Sequence, residues 1–179
     1  MRNIALFVSR TVLGSYIAVH GAQKLFGSFD GPGLEATGKG FEAMGMRPGR
    51  VMATMAGASE LGGGVLTATG IADPLGPLAI AGTMVVASAV HRKQGPMMQK
   101  GGFELPLTNF ALAVGLLVSG PGDLRIGPRL PKSLTRAAAV GGAILAAGAL
   151  TQLLTAKPPV VDSDEAQSAS SETEDSVPS

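Results

Sequence analysis

Seven polar side chains set in apolar surroundings define the chemistry open to this sequence. Arg10, His20, Gln23 and Lys24 share one apolar run, Glu60 lies inside a second, His91 ends a third and Glu104 opens a fourth. Lysine, histidine and glutamine donate hydrogen bonds to a carbonyl oxygen, and a carboxylate in an apolar setting can relay a proton. Together they suit a polar pocket for a quinone headgroup or another small polar ligand. The same residues also suit a charge-balanced internal network that fixes helix register, in which losing one partner leaves the other buried and unpaired. Residue types alone leave both readings open. His20, His91, Glu60 and Glu104 have the composition of a metal site, but no H-x₃-H or E-x₂-H spacing supports one and Lys24 would oppose a cation. A haem held between the two histidines has no support in their spacing either. With no cysteine in the chain, thiol redox chemistry, disulfides, iron–sulfur clusters and cysteine zinc sites are excluded. Electrons, if any pass, would need a partner or the bound ligand itself.

The elements that must position these groups read as membrane helices. Charged residues make up 15% of the 179, against roughly 25% in ordinary soluble domains. There are 26 glycines and no tryptophan, which suits close helix packing in lipid. Five apolar runs stand at about residues 3–26, 50–70, 75–90, 103–119 and 137–156. A hydrocarbon core of about 30 Å needs about 20 helical residues, so the third and fourth runs are slightly short. Arg10 interrupts the apolar stretch a signal peptide would need, so the first run reads as an uncleaved span. Between the first two runs, Leu34, Phe41 and Met44 recur at the spacing of a short interfacial helix. Asp73-Pro74 makes the tight turn of a hairpin between the second and third. The Gly62-Gly63-Gly64 and Gly101-Gly102 runs lack the strand–turn–helix context of a phosphate loop and read as packing devices.

Span order then brings the polar groups together. A helix turns 100° per residue, so Arg10 and Lys24, fourteen apart, drift slowly around one side, with Gly14, His20 and Gly21 close by. Val8, Val12, Val19, Ala22 and Phe26 form the opposite, lipid-facing side. A charge at mid-bilayer costs about 2.5–3.5 kcal/mol on insertion scales, which is tolerable where it faces a bundle and meets acids. Alternating span directions place His20, Gln23, Lys24, His91 and Glu104 toward one membrane face, with Glu60 beneath them and Arg10 toward the other face.

The motifs carrying these residues are R-x₃-G and H-G-x₂-K-L-F-G in the first run, A-S-E-L-G-G-G in the second, G-G-F-E-L-P-L at the fourth and a closing S-G-P-G. In this order the chain, over about residues 4–123, resembles the DoxX family of small bacterial membrane proteins. The resemblance implies an all-α four-helix transmembrane bundle in the bacterial cytoplasmic (inner) membrane. The family name derives from a subunit associated with terminal quinol oxidase or thiosulfate:quinone oxidoreductase activity, and many members have no assigned reaction. Some actinobacterial members are linked to membrane complexes containing superoxide dismutase and a sulfurtransferase. The resemblance therefore implies a redox-linked, quinone-associated subunit with soluble or membrane redox proteins as partners. A non-enzymatic membrane anchor or assembly factor is the alternative. No cofactor motif is evident, and quinone is the candidate ligand.

The chain is thus expected to comprise a DoxX-like four-helix domain over residues 1–123, a basic loop and fifth transmembrane helix over 124–156, and a disordered acidic tail over 157–179. Up to residue 156 there are 13 Lys and Arg against 7 Asp and Glu, a net of +6; the tail has one Lys against 6 acids. The basic residues mostly flank apolar runs, where lipid phosphates and not nucleic acid are the expected partner. The tail reads as a solvated end, with docking of a soluble partner as the second option. Six basic residues fall in loops on one side of the bilayer and five on the other, too even for the positive-inside rule to orient the chain.

Overall fold

The computed structural model describes residues 1–156, so the acidic tail lies outside the described residues. Six α-helices follow one another: α1 (Arg2–Phe26), α2 (Gly33–Ala43), α3 (Gly49–Thr69), α4 (Leu75–Val90), α5 (Glu104–Ser119) and α6 (Lys132–Thr155). Two short 3₁₀ turns, His91–Gln94 and Met98–Lys100, link α4 to α5. Among the described residues there is no strand. Prolines stand immediately before α2, α3, α4 and α6, where the missing N–H costs nothing and the ring blocks earlier helix. Gly27 and Gly70 close α1 and α3 in the left-handed conformation, each donating its N–H back into the last turn.

α1, α6 and the 20-residue stretch Leu75–Gln94, which is α4 continued by the first 3₁₀ turn, are long and apolar enough to cross a membrane, and α5 is a shorter apolar helix of 16 residues. α3 has 21 residues, which span about 31 Å. Its glycines, threonines and Glu60 keep its hydropathy below that of the other long helices. Those small residues instead let it pack deepest. α1 and α3 run antiparallel: a Cβ at Gly14 would overlap the backbone of Gly64 and Ala68, and one at Gly21 would overlap Gly57 and Leu61. In lipid, where tails are as apolar as leucine, such backbone approach is what holds helices together. On the far side of α3, Gly76 of α4 lies against Thr67 in the same manner. Leu13 and Ile17 of α1, Ile80 and Met84 of α4, and Ala113 and Leu116 of α5 fill the remaining interior.

Several hydroxyls in the helices are consumed locally. Thr83, Ser88, Thr108 and Thr151 each donate to the carbonyl four residues back, which spares the bilayer an unmade hydrogen bond. α6 begins five residues before the expected fifth run because the polar segment from Lys132 to Arg136 is already helical. It leans on α4, and at its far end the Gln152 side-chain oxygen accepts from the Arg47 N–H at 3.2 Å. Most of its surface is open: Val140, Ile144, Leu145 and Leu154 are all exposed.

Candidate functional site

Where α1 and α3 touch, the last turn of α1 brings Lys24 over the middle of α3. Lys24 Nζ lies 2.5 Å from Glu60 Oε2, with side chains 26% and 6% exposed. The glycine seam brings the two helices close enough for this pairing. Such a buried, charge-assisted bond fixes rotation and register together. Beside it, the His20 ring packs edge-on against Tyr16 at 4.6 Å between centroids. Gln23 donates to the Phe29 carbonyl at 3.4 Å, tying the end of α1 to the following turn.

The other two residues expected at this end serve the α4–α5 loop instead. His91 Nδ1 donates to the Gly101 carbonyl at 2.7 Å. The Glu104 carboxylate accepts the Met98 N–H at 3.1 Å and is exposed. Among the described residues neither makes a hydrogen bond or ion pair with Lys24 or Glu60. Span order gives level along the membrane normal; it does not give lateral position, and each of these two is held by the backbone nearest to it.

Arg10 lies at the opposite end and is 3% exposed. The acids expected to meet it do not pair with it directly. Its guanidinium donates to the backbone carbonyls of Ala68 and Leu124 and stacks over the Phe7 ring at 5.2 Å. The last carbonyls of α3 lack intrahelical donors, and a buried guanidinium supplies them. Leu124 belongs to the segment 120–131, which straps this end of the bundle. Ile126 N–H donates to the Thr69 carbonyl at 3.1 Å, and Leu130 N–H to the Asp73 carbonyl at 2.9 Å.

Asp73 is a buried charged residue that the motif reading passed over as part of a turn. Its carboxylate is 3.4 Å from Arg129 Nε and its side chain is 8% exposed. Burial pushes the carboxyl above the usual carboxylate range, opposed by Arg129, Arg125 and Arg10. The signal available in the sequence was charge: one acid in the turn faces a strongly basic stretch from Arg125 to Arg136. A cleft beneath the strap, lined by Arg10, Thr67, Gly70, Asp73, Pro77 and Pro121 among others, has a volume of ≈ 10 Å³, on the order of one water. Among the described residues no group of three or more His, Asp or Glu is arranged to hold a metal ion.

Residues 5–92 match the DoxX family model. No curated protein and no solved structure matches the chain. The matched segment holds α1 to α4, and with them the glycine seam, Arg10, Lys24, Glu60 and Asp73. Over residues 5–92 the chain is DoxX-like, and with its long apolar helices it is an integral membrane protein.

Proposed function

We propose that the protein is a membrane-embedded platform: a subunit that anchors or assembles partner proteins in a redox-linked complex of the bacterial cytoplasmic membrane. One observation carries this reading. The buried charged groups of the bundle direct most of their bonds to each other or to backbone: Lys24 to Glu60, two nitrogens of Arg10 to carbonyls, Asp73 to Arg129. Groups so occupied specify helix register and leave the chemistry to partners. The redox link and the bacterial membrane come from the family resemblance, and the open face of α6 offers a side for partners within the bilayer.

A second reading, a quinone headgroup at Lys24, is favoured by one feature. Lys24 is four times as exposed as Glu60, with His20 and Gln23 in the adjoining turn. The two readings separate in one experiment. The full chain is purified from native membranes in mild detergent, its partners are identified, and bound quinone is extracted. The platform reading expects stoichiometric protein partners that persist in Lys24→Met. Stoichiometric quinone lost in Lys24→Met, without partners, would overturn it in favour of the second.

A further inference from the structure

Among the described residues four buried polar side-chain atoms lack a partner, on Arg10, Thr11, Thr67 and Arg125, and two of these residues, Arg10 and Thr67, line the cleft beneath the strap. Thr67 is 2% exposed, and its hydroxyl has no hydrogen-bond partner among the described residues. The other helical hydroxyls described above turn back to their own helix; Thr67 does not. Arg10 Nε, on a side chain equally buried, also lacks a partner, although the other two nitrogens of its guanidinium donate to carbonyls. Both residues line the same cleft. A third unpartnered donor, Arg125 Nε, lies on the strap. Leaving such buried donors unsatisfied is unfavourable, the more so when they are charged.

The charge balance of this end points the same way. Arg10, Arg125 and Arg129 all lie within electrostatic reach of Asp73, and the strap's own carboxylate, Asp123, accepts from Asn3 at 2.7 Å, so three arginines stand against two acids. No carboxylate lies within 4.0 Å of the Arg10 guanidinium among the described residues. The first turn of α4 borders the cleft through Pro77, with the positive end of that helix's dipole. The carbonyls of Ala68 and Thr69 at the end of α3, which would repel an anion, are already occupied by Arg10 and Ile126.

We infer that this cleft binds a single small anion, of halide size, between Arg10 and Thr67 under the 120–131 strap. Donors without acceptors, an excess of positive charge and room for about one small sphere ask for one compact negative centre. The anion neutralises the surplus cation charge and fastens the strap, and with it the lead into α6, across the end of α3.

The test uses the full chain in neutral detergent at constant ionic strength, with chloride or bromide replacing gluconate. The expected result is a saturable rise in thermal midpoint with either halide and slower hydrogen exchange over residues 124–130. Thr67→Val keeps the side-chain shape and removes one donor; it should weaken the halide response about tenfold. Arg125→Gln, at a partly exposed position, should weaken it also, which keeps the test decisive if the buried variant misfolds. A midpoint that does not distinguish halide from gluconate overturns the inference and assigns the cleft to water. Stabilisation by phosphate or by anionic lipid, with no response to halide, overturns it too and assigns the arginines to a headgroup.

Discussion

The seam between α1 and α3 and the outer side of α6 are built from the same small residues at the same spacing. Gly14 and Gly21, Gly57 and Gly64, and Gly141 and Gly148 are each seven apart. In the seam, the first two pairs bring backbones into contact, leaving no room for a Cβ. On α6, nothing lies within 4 Å of where a Cβ would be at Gly141, Gly142 or Gly148. Small residues therefore permit close approach without specifying it. What distinguishes the seam is the charge at its two ends. Lys24 reaches Glu60 at one, and Arg10 reaches the carbonyls of α3 and the strap at the other. α6 has no such anchor along its apolar length, only the Gln152 contact near its end.

That contrast breaks most visibly at the glycines of the seam. Gly21→Leu should cost about 3 kcal/mol or more, because the new side chain meets helix backbone that cannot give way. The expected readout is loss of a monodisperse peak on size exclusion in detergent. A folded, monodisperse Gly21→Leu protein would show that the seam is looser than described. Next in size is the ion pair. Glu60→Ala leaves the Lys24 ammonium without its partner and should cost about 3 kcal/mol, the lower end for a buried pair because Lys24 is partly exposed. Chemical or thermal unfolding in detergent reads this directly.

A smaller effect belongs to the opposite end. The Asp73 carboxyl titrates above its ordinary 3.8 in the folded protein. An acid with a raised folded pKa holds its proton more tightly in the fold. The stabilisation this gives is complete below the unfolded value and is lost as pH rises through the folded value. Asp73→Asn mimics the protonated form. It should flatten the acid side of the stability–pH curve and change stability at neutral pH by no more than about 1 kcal/mol, since Arg129 is largely exposed. An unchanged pH curve would remove Asp73 from that account. The smallest effect is expected on α6. Gly148→Leu points into open space and should stay within about 0.5 kcal/mol of the parent. A large loss there would mean that another chain normally covers that face.

The helices were legible in the sequence because hydropathy reports burial in lipid directly. The expected third run coincides with α4, and α1 and α3 begin within one residue of expectation. The start of α6 was not legible, because the turn holding Lys132 and Arg136 is helical without being apolar. Lys24 and Glu60 could be set near one another in level from span order, with Glu60 beneath Lys24. His91 and Glu104 could not be placed, because level along the membrane normal says nothing about distance across it. Arg10 was expected to meet carboxylates; it met carbonyls, since a helix C-terminus offers bare acceptors that a sequence does not display. Asp73 was hidden by its neighbour, since Asp-Pro is read first as turn chemistry.

The central claim is that Lys24 and Glu60 act as a structural pair within a platform. It is tested most directly by comparing the double variant Lys24→Met/Glu60→Leu with both single variants, for stability in detergent and for co-purified partners. The account predicts that the double variant recovers most of the stability that Glu60→Ala or Glu60→Leu loses, since two apolar side chains replace two charges, and that it retains its partners. A double variant that folds as well as the parent but loses its partners or a bound quinone would contradict the claim and make the pair a binding site.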